Sequence, residues 1–169
     1  MLCVIARLDD RSTEKLNALR MLAFPPGEAG RPLHGHITLA TCVGGDEAAF
    51  LRSCRELLRG VSAFSVPYGK LEVLEETSII VASPEPNPAL EALHRRIVRA
   101  HAAELDLWTG TERWQAHTTL FYSPQADLQA LCRRMEAQFT PFTARVESIE
   151  FSRVLEDGFE ILGVVALDS

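Results

Sequence analysis

His36-Ile37-Thr38 and His117-Thr118-Thr119 each set an imidazole two positions before a hydroxyl, and each triplet is followed by a leucine. In an extended strand residues i and i+2 share a face. Each triplet would therefore present one histidine and one threonine side by side, with Ile37, Leu39, Thr118 and Leu120 turned into packing. An unperturbed imidazole titrates near ~6.5 and can give or take a proton around neutrality. A threonine hydroxyl donates to an anionic oxygen. Two such pairs facing one another could move protons on either side of a phosphoryl group. By strand parity His34 and Gln115 would edge the same cleft. Phe121 shares the parity of His117 and offers a ring that could stack on a base or ribose.

The triplets lie inside a longer repeat. Laid ungapped from the two histidines, the chain agrees with itself at His36/His117, Thr38/Thr119, Leu39/Leu120, Asp46/Asp127, Ala49/Ala130 and Arg52/Arg133. Asp46 and Asp127 stand just before the periodic runs AAFLRSCRELL and LQALCRRMEAQF, where helix N-caps belong. Upstream, the strand-like runs CVIARL (3–8) and SIIVAS (78–83) lead into helices carrying LNALR and LEALH. Downstream, AFSVPYGKLEVLE (63–75) resembles PFTARVESIEFSRVLE (141–156), and FEILGVVAL (159–167) reads as the return strand of a hairpin. The pattern predicts an α+β fold of two pseudo-twofold-related lobes, roughly 1–75 and 76–169. Each lobe is a strand–helix–strand–helix–strand unit, and a central cleft lies between antiparallel sheets. The loops at 24–35 and 105–116 would overhang that cleft. His94 and His101, on a helix predicted over 88–104, read as surface or helix-end residues.

Composition narrows the field further. A chain of 169 residues with 47% hydrophobic content can bury one core, so a single domain and a monomer are expected. No run approaches the ~20 apolar residues of a membrane span, and MLCVIARLDDR reads as a first strand rather than a signal peptide. Cys3, Cys42, Cys54 and Cys132 are scattered without a CxxC, which fits core thiols in a reducing cytoplasm. A net charge of −6 argues against an extended nucleic-acid-binding surface and is compatible with a small pocket for a nucleotide or RNA end. Arg31, Lys70 or Arg113 could supply local positive charge there. His34-Gly35-His36 resembles a metal-ligand pair, but no third ligand is near, so no metal and no cofactor are expected.

Two H-x-T-L motifs 81 positions apart, inside duplicated α+β units, resemble the two-histidine (2H) phosphoesterase superfamily. Within it, the likeness is to the group of 2'-5' RNA ligase and 2',3'-cyclic-nucleotide phosphodiesterase proteins. The resemblance covers nearly the whole chain. It implies that His36 and His117 are catalytic, that Thr38 and Thr119 donate hydrogen bonds to the phosphate, and that the substrate is a nucleotide or an RNA terminus. The implied reaction is a metal-independent opening of a 2',3'-cyclic phosphate or cleavage of a 2',5' linkage. A non-catalytic module binding the same ligands is the alternative. Many bacterial members carry an arginine five positions after the second histidine; here that position is Tyr122, which with His34 and Phe121 is a candidate for substrate contact.

Overall fold

A computed structural model of the chain describes residues 1–28, 31–110 and 113–169. Ala29 and Gly30 of the first predicted loop, and Thr111 and Glu112 of the second, lie outside the described residues. The order is β1 (Leu2–Leu8), α1 (Asp10–Met21), β2 (His36–Cys42), α2 (Glu47–Leu57), β3 (Phe64–Val73), β4 (Ile79–Pro84), α3 (Pro88–His101), β5 (Thr118–Tyr122), α4 (Leu128–Glu136), β6 (Phe142–Leu155) and β7 (Gly158–Ala166).

Helix starts follow from local chemistry. The Asp46 side chain accepts from the backbone N–H groups of Ala48 and Ala49 at 2.9 and 3.1 Å, and Asp127 accepts from that of Ala130 at 2.9 Å. Each such cap satisfies orphan donors and contributes ~1 kcal/mol. Asn87 caps α3 by accepting from Leu90 at 3.0 Å, with Pro88 at the first helical position, where a missing N–H costs nothing. The helix predicted to reach 104 ends at His101 and continues as a 3₁₀ turn, Ala102–Glu104.

The strands form one antiparallel sheet in the order β2-β1-β6-β3-β4-β5, with β7 paired to β6. The path reads the same from either end: second strand, first strand, third strand, then third, first, second. The third strand of each sequence half is thus exchanged. β3 pairs with β4, β6 pairs with β1, and β3 and β6 meet at the centre. The predicted boundary at 75/76 falls in the turn between β3 and β4, while the sheet runs through both halves.

Irregularities repeat with the sequence. In β2 the register passes from Thr38 opposite Ile5 to Ala40 opposite Val4, so Leu39 is bulged; in β5 it passes from Thr119 opposite Val81 to Phe121 opposite Ile80, so Leu120 is bulged. Each motif threonine is therefore followed at once by a β-bulge, a device that re-aims side chains beside functional sites. Gly69 and Glu147 are bulged at matching points of β3 and β6.

The main core lies on the helix-covered side. Ile37, Leu39, Leu120, Leu16, Phe50, Leu90, Ile97 and Met135 are buried there, each contributing roughly 1.5–3 kcal/mol. Cys42, Cys54 and Cys132 join them; burial pushes the Cys54 thiol up to about 12 and that of Cys132 to about 11, so both behave as small apolar residues. Ile5 and Val81 are buried too, but outside that cluster, between core-facing neighbours on their strands. Alternation places them on the opposite, cleft side of β1 and β4. Among the described residues, no helix is long and apolar enough to cross a membrane.

Candidate active site

Side chains of the second sequence half bind the backbone of the first, and this brings the motif strands together. Thr118, fully buried beside His117, donates from Oγ1 to the carbonyl of His36 at 2.9 Å. A hydroxyl has one proton, so the buried Tyr68 must donate in turn to Thr118 across 2.7 Å. The Trp114 indole N–H donates to the carbonyl of Thr38 at 2.9 Å, and its ring stacks on His94 with centroids 3.8 Å apart. His94 is consequently buried, not at the surface, and its Nε2 donates to the Thr109 carbonyl at 2.9 Å. His101 does close α3, but it is nearly enclosed, between Ser53 and Glu104 at 2.8 Å each. What hid both contacts from the sequence is that they join a helix to segments distant along the chain or beyond its end.

The two motif histidines are held in the same way. His36 Nδ1 lies 2.6 Å from the carbonyl oxygen of His34, and His117 Nδ1 lies 2.7 Å from that of Gln115. A carbonyl only accepts, so Nδ1 carries the proton and the neutral form keeps its lone pair on Nε2. Burial pushes both imidazoles below their ordinary range. For His36 the His34 carbonyl and Glu150 work against that fall, while His34 and His117 add to it; for His117 the Gln115 carbonyl and Glu72 oppose it. Thr38 is half-buried and Thr119 exposed.

Glu72 and Glu150 are the residues sequence reading missed. Both occupy the same place in the repeat, Leu71-Glu72-Val73 against Ile149-Glu150-Phe151. Glu150 pairs with Ile5, which pairs with Thr38; Glu72 pairs with Val81, which pairs with Thr119. Each carboxylate accepts from a serine, Ser152 for Glu150 and Ser83 for Glu72. Each also faces a cation: Arg7 Nε is 3.6 Å from Glu150 Oε2, and Lys70 Nζ is 2.8 Å from Glu72 Oε2. Burial works to raise Glu72, but Lys70 and Ser83 outweigh it and hold its carboxyl below the usual range. The one available signal was a charged residue at equal positions of two otherwise apolar strand segments.

The remaining candidates divide. His34 Nε2 lies 3.2 Å from Glu150 Oε1, and its ring sits between His36 and Phe159, 5.6 and 5.0 Å away. Phe121 follows the bulge at Leu120, which breaks the alternation from His117; its ring packs edge-on against Phe24 at 5.8 Å, beside the core. Tyr122 is exposed at the end of β5. Arg31 donates to the Asp157 carbonyl at 2.8 Å. Among the described residues, no three His, Cys, Asp or Glu side chains cluster to hold a metal.

Two concavities meet at this site. One of about 610 Å³ is lined by Thr38, His117, the turn residues Leu74–Thr77, Ile79, Trp108, Thr109, Arg113, Trp114 and Gln115. A second, about 760 Å³, runs from Lys70, Glu72 and Ser83 to Arg95 and Arg99 of α3, and shares Trp114 and Gln115 with the first. Part of the predicted loop at 105–116 thus forms their common wall.

Comparison with known proteins agrees. A solved phosphoesterase is 19% identical, with a TM-score of 0.69 over 99% of this chain and 98% of its own. E. coli LigT complexed with 3'-AMP is 19% identical, with a TM-score of 0.67 over 99% of this chain and 98% of its own. A Thermus thermophilus protein, TT0787, is 14% identical, with a TM-score of 0.66 over 98% of this chain and 97% of its own. At these identities the likeness is one of fold. No curated protein matches the chain significantly in sequence. The 2'-5' RNA ligase superfamily matches residues 8–158, and with both H-x-T-L motifs at one cleft the chain belongs to that superfamily of two-histidine phosphoesterases.

Proposed function

We infer that this chain is a metal-independent phosphodiesterase that opens 2',3'-cyclic phosphates or cleaves 2',5'-linked nucleotides and RNA ends. The observation carrying this reading is the mirrored anchoring of His36 and His117, each through Nδ1 to the carbonyl two residues back. That leaves two Nε2 atoms for proton transfer. One imidazole takes a proton from water as the oxygen attacks phosphorus; the other, protonated, gives its proton to the departing ribose oxygen. Thr38 and Thr119 donate to the nonbridging oxygens, where charge builds in the transition state. Support for a nucleotide ligand comes from E. coli LigT, solved with 3'-AMP, NADP+, phosphate and ATP. Both half-sites come from one chain, so a monomer suffices. Four free thiols favour a reducing cytoplasm as the setting.

A panel of 2',3'-cyclic nucleotides, 2',5'-linked dinucleotides and cyclic-phosphate-ended oligonucleotides, assayed in EDTA, tests this reading. Turnover of at least one class in EDTA is expected. Tight binding without turnover would make the chain a nucleotide- or RNA-end-binding module instead. Activity lost on chelation and restored by a divalent ion would point back to the His34–His36 pair as metal ligands.

A further inference from the structure

The carboxylates of Glu72 and Glu150 have no part in the proton transfers just described, yet the fold places both with unusual care. Glu150 is fully enclosed, and among the described residues its Oε2 has no hydrogen-bond partner, with Arg7 Nε at 3.6 Å. A buried charge without full compensation is costly, so its place in the fold calls for a physical account. Glu72 reaches an equivalent position from the other half, on the exchanged strand β3. The two carboxylates match in repeat position and in register to the motif threonine. Each has one serine donor and one facing cation, supplied from different positions in the two halves: Ser152 on the same strand and Arg7 on the next for Glu150, Ser83 on the next strand and Lys70 on the same one for Glu72. Packing alone requires none of these matches.

We propose that Glu72 and Glu150 are positioning residues of the two-histidine site, each stabilising the imidazolium of the histidine in its own half-site: Glu72 for His117 and Glu150 for His36. The proposal rests on the reading of His36 and His117 as the proton-transferring pair. Burial works against the charged imidazole at both histidines, and a general acid must carry that charge. A nearby carboxylate in a low-dielectric floor offsets that effect. Among the described residues, the other charged and titratable groups facing the pair are Arg7 on β1, His34 before β2, Lys70 on β3, Glu75 and Glu76 in the following turn, and Arg113. Their directions agree: Glu150 works to raise His36 and Glu72 to raise His117.

The test is a titration of histidine side chains by NMR in the free protein, comparing wild type with Glu72→Gln, Glu150→Gln and, as a reference for losing one negative charge anywhere, the exposed Glu14→Gln. Removing a carboxylate removes stabilisation of the charged imidazole, so its midpoint moves to lower pH. Glu150→Gln should shift His36 acidward and leave His117 close to the reference variant; Glu72→Gln should do the reverse. Glu72 is partly exposed, so its amide variant should fold, and if Glu150→Gln loses spectral dispersion Glu72→Gln decides. Midpoints that move no further than in Glu14→Gln, or two histidines that move together in both variants, would overturn the proposal. Kinetics then separate it from the activity itself. In the pH profile of kcat/KM both variants should displace the profile acidward relative to Glu14→Gln, the limbs reporting the coupled pair rather than either histidine alone. Selective NMR shifts in a protein that turns over no phosphodiester would leave the positioning role standing and remove the enzymatic reading.

Discussion

The two half-sites share a motif, a bulge, a carbonyl anchor and a carboxylate, but they are not equally sheltered. Around His36 the carboxylate is fully enclosed and the facing Arg7 side chain is 38% exposed; around His117 the carboxylate is 28% exposed and Lys70 is 63% exposed. Thr38 is half-buried where Thr119 is open, and the residue supplying each anchor differs, His34 against Gln115. Electrostatic interactions weaken with solvent exposure, so one duplicated backbone sets its two imidazoles in distinct electrostatic surroundings. Distinct surroundings are what the proposed acid–base pair requires.

The sharpest way to break the comparison is to delete either imidazole. His36→Ala and His117→Ala should each cost at least the ~10²–10⁴-fold carried by one acid or base step, with far-UV circular dichroism unchanged. The double variant should be scarcely slower than either single, because the pair acts as a unit. Near-normal turnover in one single variant would make that histidine structural. Thr38→Ala and Thr119→Ala come next, at ~10²-fold or more in kcat, as for loss of a transition-state donor.

Adjacent threonines sharpen the contrast between chemistry and support. Thr118→Val orphans both the Tyr68 hydroxyl and the His36 carbonyl in a dry setting, and should cost ~1–3 kcal/mol in urea unfolding. Thr119→Val, one residue on but exposed, should stay within about 0.5 kcal/mol while losing activity. Equal stability losses would mean that the cross-half link holds little.

The smallest effects lie in pH. Burial lowers both histidines, and kcat/KM reports the free enzyme, so its optimum should fall on the acid side of ~6.5. The limbs belong to the coupled pair rather than to single residues. Stability follows the same sign. Between the lowered native value and the unfolded ~6.5, the unfolded chain binds protons that the native chain does not, so stability declines as pH drops through that window. Urea midpoints measured across it should fall less steeply in His36→Gln and His117→Gln.

What could be read in advance was local. Asp46 and Asp127 announce helices because a cap and its acceptors lie within three residues. The return strand β7 is legible because its hairpin partner is adjacent in sequence. The motif histidines and threonines show through because they repeat. Glu72 and Glu150 did not, since a strand's neighbours are set by pairing and not by its own residues, and β3 and β6 pair across the repeat. The bulge at Leu120 is equally silent in sequence, and it frees Phe121 from the parity that had aligned it with His117. His94 gave no sign of burial because its stacking partner, Trp114, arrives from a loop.

The exchange of third strands also governs how this chain can fold. Cut at the β3–β4 turn, the first fragment would hold β1 with β2 on one side and nothing on the other, and its β3 would lose both partners. The second would hold β4 beside β5 with its other edge bare, and a β6 paired only to β7. Each would expose long unpaired edges prone to association. Neither half can therefore mature first and template the other, and closure waits until Leu2 finds Arg153 near the far end of the chain. Such non-local pairing makes for slow, concerted folding, and a slow partner search is the cost of letting each half carry the other's carboxylate.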